Sequence, residues 1–189
     1  CLNLPILVLC ALWGTQYLQV VHHLTIIQAS NVVSMIFFGS MIGGPFLGGL
    51  SDRLKNRKKV MMFGAVFSFV FALPMVLTST PLSLMTLAIL FFALGFFTAA
   101  QVISYPVIAE SNALTYAGRA CSFASVIIMG GGMLAQLLFS AWVQSAASGQ
   151  IVDANAFRSA MNLFPISIGL AIVVLWFMRE TYGHHTMEK

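Results

Sequence analysis

Charge is the scarcest commodity in this chain: Asp, Glu, Lys and Arg make up 7% of its 189 residues, and hydrophobic residues make up 59%. An average soluble domain carries roughly a quarter charged residues, so a water-soluble fold is excluded. Nine Lys and Arg against five Asp and Glu leave a net charge of +4, which is too sparse to form a nucleic-acid-binding face. The long apolar runs contain no acid, no His and no basic residue near their centres. That excludes a nucleophile–base pair inside a membrane, leaves no catalytic residue to name, and leaves no buried carboxylate or cation for proton relay in these runs. Cys1, Cys10 and Cys121 lack CxxC or Cys/His ligand spacing, so neither a disulfide framework nor a metal site is expected. No motif calls for a cofactor. His184 and His185 read as part of a solvated tail, and His22 and His23 as part of a short outer loop.

What the chain has instead is length without charge. A helix needs about 20 apolar residues to cross a bilayer, and runs of that kind lie near Leu4–Val21, Ala29–Leu50, Val60–Thr78, Leu84–Val107, Ala120–Val143 and Met161–Met178. They are too continuously apolar for the alternating strands of a barrel. The reading is therefore an all-α membrane protein with six transmembrane helices. Under strict alternation one side receives Arg53, Lys55, Arg57, Lys58, Lys59, Arg119, Arg179 and Lys189, and the other only Arg158. The positive-inside rule makes the first side, with the C-terminus, cytoplasmic. A missed or invented span would swap every later loop, so this asymmetry supports the count of six. The turn at Ser148-Gly149-Gln150 falls in the largest loop on the opposite side. The chain begins on Cys with no charged leader before its first apolar run, and is expected to continue upstream.

Neutral polar residues divide the spans into two groups. The third and sixth are apolar nearly all round. The first carries Trp13, Gln16 and Tyr17, the second begins with Asn31, the fourth carries Thr98 and Gln101, and the fifth carries Gln136. Four spans are thus expected to share a polar interior, and these seven residues are the candidates for contacting a small-molecule substrate. Each could instead make an ordinary interhelical hydrogen bond. The second span also spaces Gly39 and Gly43, and Gly44 and Gly48, four residues apart. Gly39, Gly43, Gly44 and, in the fifth span, Gly130 are expected at close helix contacts.

After the second span stands GGLSDRLKNRKK, and between the fourth and fifth stands YPVIAESNALTYAGRACSF. Gly permits a sharp exit, an acid can face a helix N-terminus, and Arg can pair with carboxylates or carbonyls. The first segment resembles the G-x-L-x-D-R-x-G-R-R/K signature of the major facilitator superfamily, with Gly48, Leu50, Asp52, Arg53 and Arg57 at matching positions. Lys55 replaces the usual Gly, and Asn56 the usual Arg or Lys. The second segment resembles the family's acid-then-Arg loop, with Glu110 and Arg119 at the charged positions and Gly118-Arg119 in reversed order.

The resemblance implies half of a twelve-helix fold, residues 1–189, built as two inverted three-helix repeats. With no intramembrane Arg in the fourth span and only a short tail after the sixth, the C-terminal half is implied. Its partners are then a missing N-terminal six-helix half, the lipid bilayer and a small-molecule substrate. The implied function is secondary active transport by alternating access, ion- or proton-coupled through residues outside this chain. Asp52, Arg53, Arg57, Glu110 and Arg119, with Gly48, are expected to form a cytoplasmic gate. The alternatives are a self-associating six-helix channel or structural protein, and a non-transporting nutrient sensor of the same fold. Short loops and the absence of N-x-S/T fit a bacterial inner membrane.

Overall fold

The computed structural model describes residues 1–78, 82–146, 154–178 and 180, all helical or in short connections. Ile6–Trp13 is wound as a π-helix and passes directly into α1 (Gly14–His22). There follow α2 (Ile26–Leu54), α3 (Arg57–Leu77), α4 (Leu84–Thr98), a 3-10 stretch (Ala99–Ile103), α5 (Ser104–Glu110), α6 (Leu114–Ala146), α7 (Ala154–Met161) and α8 (Leu163–Phe177). Among the described residues, five helical runs are long and apolar enough to cross a membrane: Ile26–Leu54, Arg57–Leu77, Leu84–Glu110, Thr115–Ala146 and Asn155–Phe177. The first expected span is not among them; there the chain is wound as the π-helix Ile6–Trp13 followed by α1. The turn expected at Ser148-Gly149-Gln150, together with Arg179 and the histidine-bearing tail, lies outside the described residues.

Helix starts follow local side-chain chemistry. Thr25 and Gln28 form a reciprocal capping box, each accepting the other's backbone N–H, and this starts α2 three residues before the expected Ala29. Asn56 accepts the Lys59 N–H at 3.0 Å and caps α3. Ser83 caps α4 through the Thr86 N–H at 3.2 Å. The fourth expected span is internally broken, and the cause is legible. Pro106 supplies no N–H and its ring opposes the carbonyl four residues back. Thr98 Oγ1 donates to the carbonyls of Leu94 (2.6 Å) and Gly95 (3.3 Å), a pattern that bends helices.

α2 and α4 pack most extensively, backbone against backbone. A Cβ on Gly39 or Gly43 would strike the backbone of Phe92 or Phe96, and one on Gly95 would strike Ile36. Ser40 crosses the same contact, donating to the Gly95 carbonyl at 3.3 Å. Gly64 meets Ala100 and Phe97 in the same way where α3 crosses the 3-10 stretch. Gly39 and Gly43 are thus packed against α4, whereas Gly44, Gly48 and Gly130 face open space within this chain. Residues four apart share one helix face, and only the face carrying Gly39 and Gly43 is turned to α4. Of the five long runs among the described residues, the one in α6 is the least covered and Leu84–Glu110 the most.

Candidate functional site

The turn between α2 and α3 is closed by Lys55 in the left-handed conformation, φ 48°. This is the position at which the sequence signature carries Gly, the residue that adopts such a conformation without a Cβ clash. Asn56, the other departure from the signature, is the α3 cap. The turn delivers Arg57 to a site between α2, α3 and the end of α5. One guanidinium nitrogen, Nη1, pairs with Asp52 Oδ1 and also donates to Ser51 Oγ at 3.3 Å. The other, Nη2, pairs with Glu110 Oε1 at 2.7 Å. The Arg57 and Glu110 side chains are each 11% exposed, whereas that of Asp52 is 67% exposed. Arg57–Glu110 is therefore a buried charge pair with little water to replace either partner.

Glu180 joins this cluster from beyond α8. Its carboxylate accepts the Arg57 N–H at 2.9 Å and the Lys58 N–H at 2.7 Å. These are unsatisfied first-turn donors at the positive end of the α3 dipole. Lys58 Nζ reciprocates by donating to the Trp176 carbonyl at 2.7 Å, near the C-terminus of α8. The sequence alone offers no reason to single out Glu180. Nothing short of knowing that α3 and α8 are neighbours would have found it. Arg119 does not enter an ion pair with Asp52 or Glu110; its guanidinium carbon lies 6.0 Å from the centroid of the Tyr116 ring on its own helix. Arg53 is exposed. Of the residues expected at the gate, Asp52, Arg57 and Glu110 meet, and Glu180 joins them where Arg53 and Arg119 do not.

The seven candidate contact residues disperse. Gln101, on the 3-10 stretch, lines a cavity of about 600 Å³ with Leu7, Ser104, Ile108, Gly131 and Gly132, a size within the usual range for small molecules. Gln136, one turn beyond Gly132, donates to the Leu7 carbonyl at 3.0 Å and so ties α6 to the π-wound segment. Gln16 and Asn31 are exposed. Trp13 packs its ring against Phe139 and Phe157, at centroid distances of 5.7 and 6.0 Å. Thr98 is buried and bonded to its own helix. Tyr17 is 1% exposed, its hydroxyl donating to the Met75 carbonyl at 3.3 Å. The structure brings Gln101 and Gln136 to the surroundings of one cavity, through Leu7, and holds Trp13, Tyr17 and Thr98 in helix contacts.

A family model described as Major Facilitator Superfamily matches residues 6–187. A solved structure of the xylose transporter XylE from E. coli, in a partially occluded inward-open conformation, resembles the chain with a TM-score of 0.73 and 18% identity. The similarity covers 95% of this chain and 48% of that one, so the chain spans about half the length of the protein it matches. No curated protein matches it.

Proposed function

Because the chain belongs to the major facilitator superfamily, we propose that it is the C-terminal half of a secondary transporter that moves a small metabolite by alternating access. In this reading the π-wound segment and α1 together make a sixth span, and the six spans form two inverted three-helix repeats. The end of the bundle bearing Arg57 faces the cytoplasm of a bacterial cell, and the protein sits in its inner membrane. An N-terminal six-helix half completes the path and carries the ion- or proton-coupling groups.

The observation that carries this reading is Arg57 held between Asp52 and Glu110 where the chain follows the family signature. Ion pairs at helix ends can form in one conformation and loosen in another, which suits a gate between two global states. Gln101 and Gln136, beside the cavity, are the substrate contacts we would assign first. Trp13, Gln16, Tyr17, Asn31 and Thr98 are assigned to the path or to the positioning of its helices.

The test is uptake by the native full-length polypeptide in proteoliposomes, screened with radiolabelled neutral metabolites. A transporter gives saturable uptake of at least one compound. Gln101→Ala should then reduce uptake by about tenfold, the worth of one to two hydrogen bonds. Non-saturating flux, linear in concentration and insensitive to Gln101→Ala, would instead favour the channel alternative.

A further inference from the structure

At the end of α3 opposite Arg57, three separate segments meet on the ring of His22, which is 7% exposed. The Leu82 N–H, in the segment entering α4, donates to His22 Nδ1 at 3.1 Å. Nδ1 therefore carries no proton, and the hydrogen of the neutral ring lies on Nε2. Nε2 stands 3.2 Å from the Tyr17 hydroxyl and donates to it, while the hydroxyl in turn donates to the Met75 carbonyl at 3.3 Å. Met75 lies in the last turn of α3, where carbonyls lack intrahelical donors. Every polar atom of the relay Leu82–His22–Tyr17–Met75 is used, and only one tautomer uses them all. The tyrosine and histidine rings meet edge-on at 5.4 Å.

We propose that His22 is a proton-sensitive clasp, holding the ends of α1, α3 and the segment entering α4 together while neutral and releasing them when protonated. A second proton must go to Nδ1, where it would face the Leu82 N–H, donor against donor. It would also place a positive charge in a site that already contains one. The ionisable groups facing the ring are Tyr17 and His23 from its own element and Arg158 from α7. The last turn of α3 and the segment at Leu82 contribute only backbone groups, and Asp153, just before α7, lies outside the described residues. The Leu82 N–H already occupies the lone pair on Nδ1 that a second proton would need. The native clasp thus prefers the neutral ring. Its stabilisation is complete above the open-state value of about 6.5 and is lost as pH falls through and below it. The clasp rests on geometry alone. Only the further step, that acidity outside the cell loosens the outer end of a transporter, depends on the function proposed above.

Hydrogen–deuterium exchange of the native full-length polypeptide in nanodiscs tests this without any transport assay. After correction for intrinsic rates, protection of peptides covering Leu82 should fall between pH 7.5 and 5.5 in the wild type, by at most about tenfold. His22→Gln keeps one acceptor and one donor but does not titrate, so its protection should be equal at the two pH values. His22→Phe should lose protection at both. Equal wild-type protection at pH 7.5 and 5.5, or an equal fall in His22→Gln, would overturn the clasp. A ¹⁵N spectrum of the wild-type histidines requires no substitution. An Nε2–H signature for His22 at pH 7.5 supports the proposal, and an Nδ1–H signature refutes it.

Discussion

Arg57 touches two carboxylates of very different worth. Asp52 is mostly in contact with solvent, so its pair with Arg57 is screened and contributes at most about 1 kcal/mol. Glu110 is buried with Arg57, and removing one partner from such a pair leaves an uncompensated charge, at about 3–5 kcal/mol. Glu110→Gln should therefore lower the melting temperature of the full-length protein by many degrees, while Asp52→Asn shifts it by one or two. Thermal unfolding in detergent, followed by intrinsic fluorescence, checks this, and equal shifts for the two variants would remove the burial argument. Lys55 and Asn56 illustrate why a departure from a signature need not disable it. Lys55 takes up the left-handed turn that Gly would make easily, and Asn56 turns the vacated basic position into a helix cap.

At the scale of helices, the α2–α4 contact and the break near Thr98 decide the arrangement. Gly39, Gly43 and Gly95 let two backbones touch, so a methyl at the crossing has nowhere to go. Gly95→Ala should destabilise by about 1–3 kcal/mol through overpacking. Gly49→Ala, on the same helix, whose Cβ meets nothing within 4 Å, should instead stabilise by about 0.5–1 kcal/mol through helix propensity. Urea or thermal titration of both variants reads the opposite signs directly, and the same sign for both would show that the two faces are not distinguished as described. The break between α4 and α5 matters for a different reason. It places Gln101 on a 3-10 turn beside the cavity, and 3-10 stretches within long helices often mark hinges.

For the whole molecule, the telling feature is what remains uncovered. Phe37, Phe38, Met41 and Phe46 on α2, and Phe123, Val126, Met133 and Leu134 on α6, are exposed together. Apolar area of this extent is tolerated only against lipid or another chain segment. The polypeptide detected in its native membrane through this region should have an intact mass near twice the 20.5 kDa of this chain. A mass near 20.5 kDa would move the uncovered faces to a second copy of the chain. Much of this was legible beforehand. Low charge and long apolar runs dictate membrane helices, because backbone groups in hydrocarbon must be satisfied within their own segment. The signature segment likewise marked Asp52 and Arg57, whose short-range spacing puts them at one helix end, and the resemblance of the second loop added Glu110 to the same expected cluster. Tertiary structure alone decided that Glu180 replaces Arg119 in that cluster, that Gly39 and Gly43 are packed while Gly44 and Gly130 are not, and that His22, read as a loop residue, lies buried against Leu82 and Tyr17. Those outcomes depend on which helices become neighbours and on the rotation of each about its axis, and neither quantity is encoded in the local spacing of residues along a single segment.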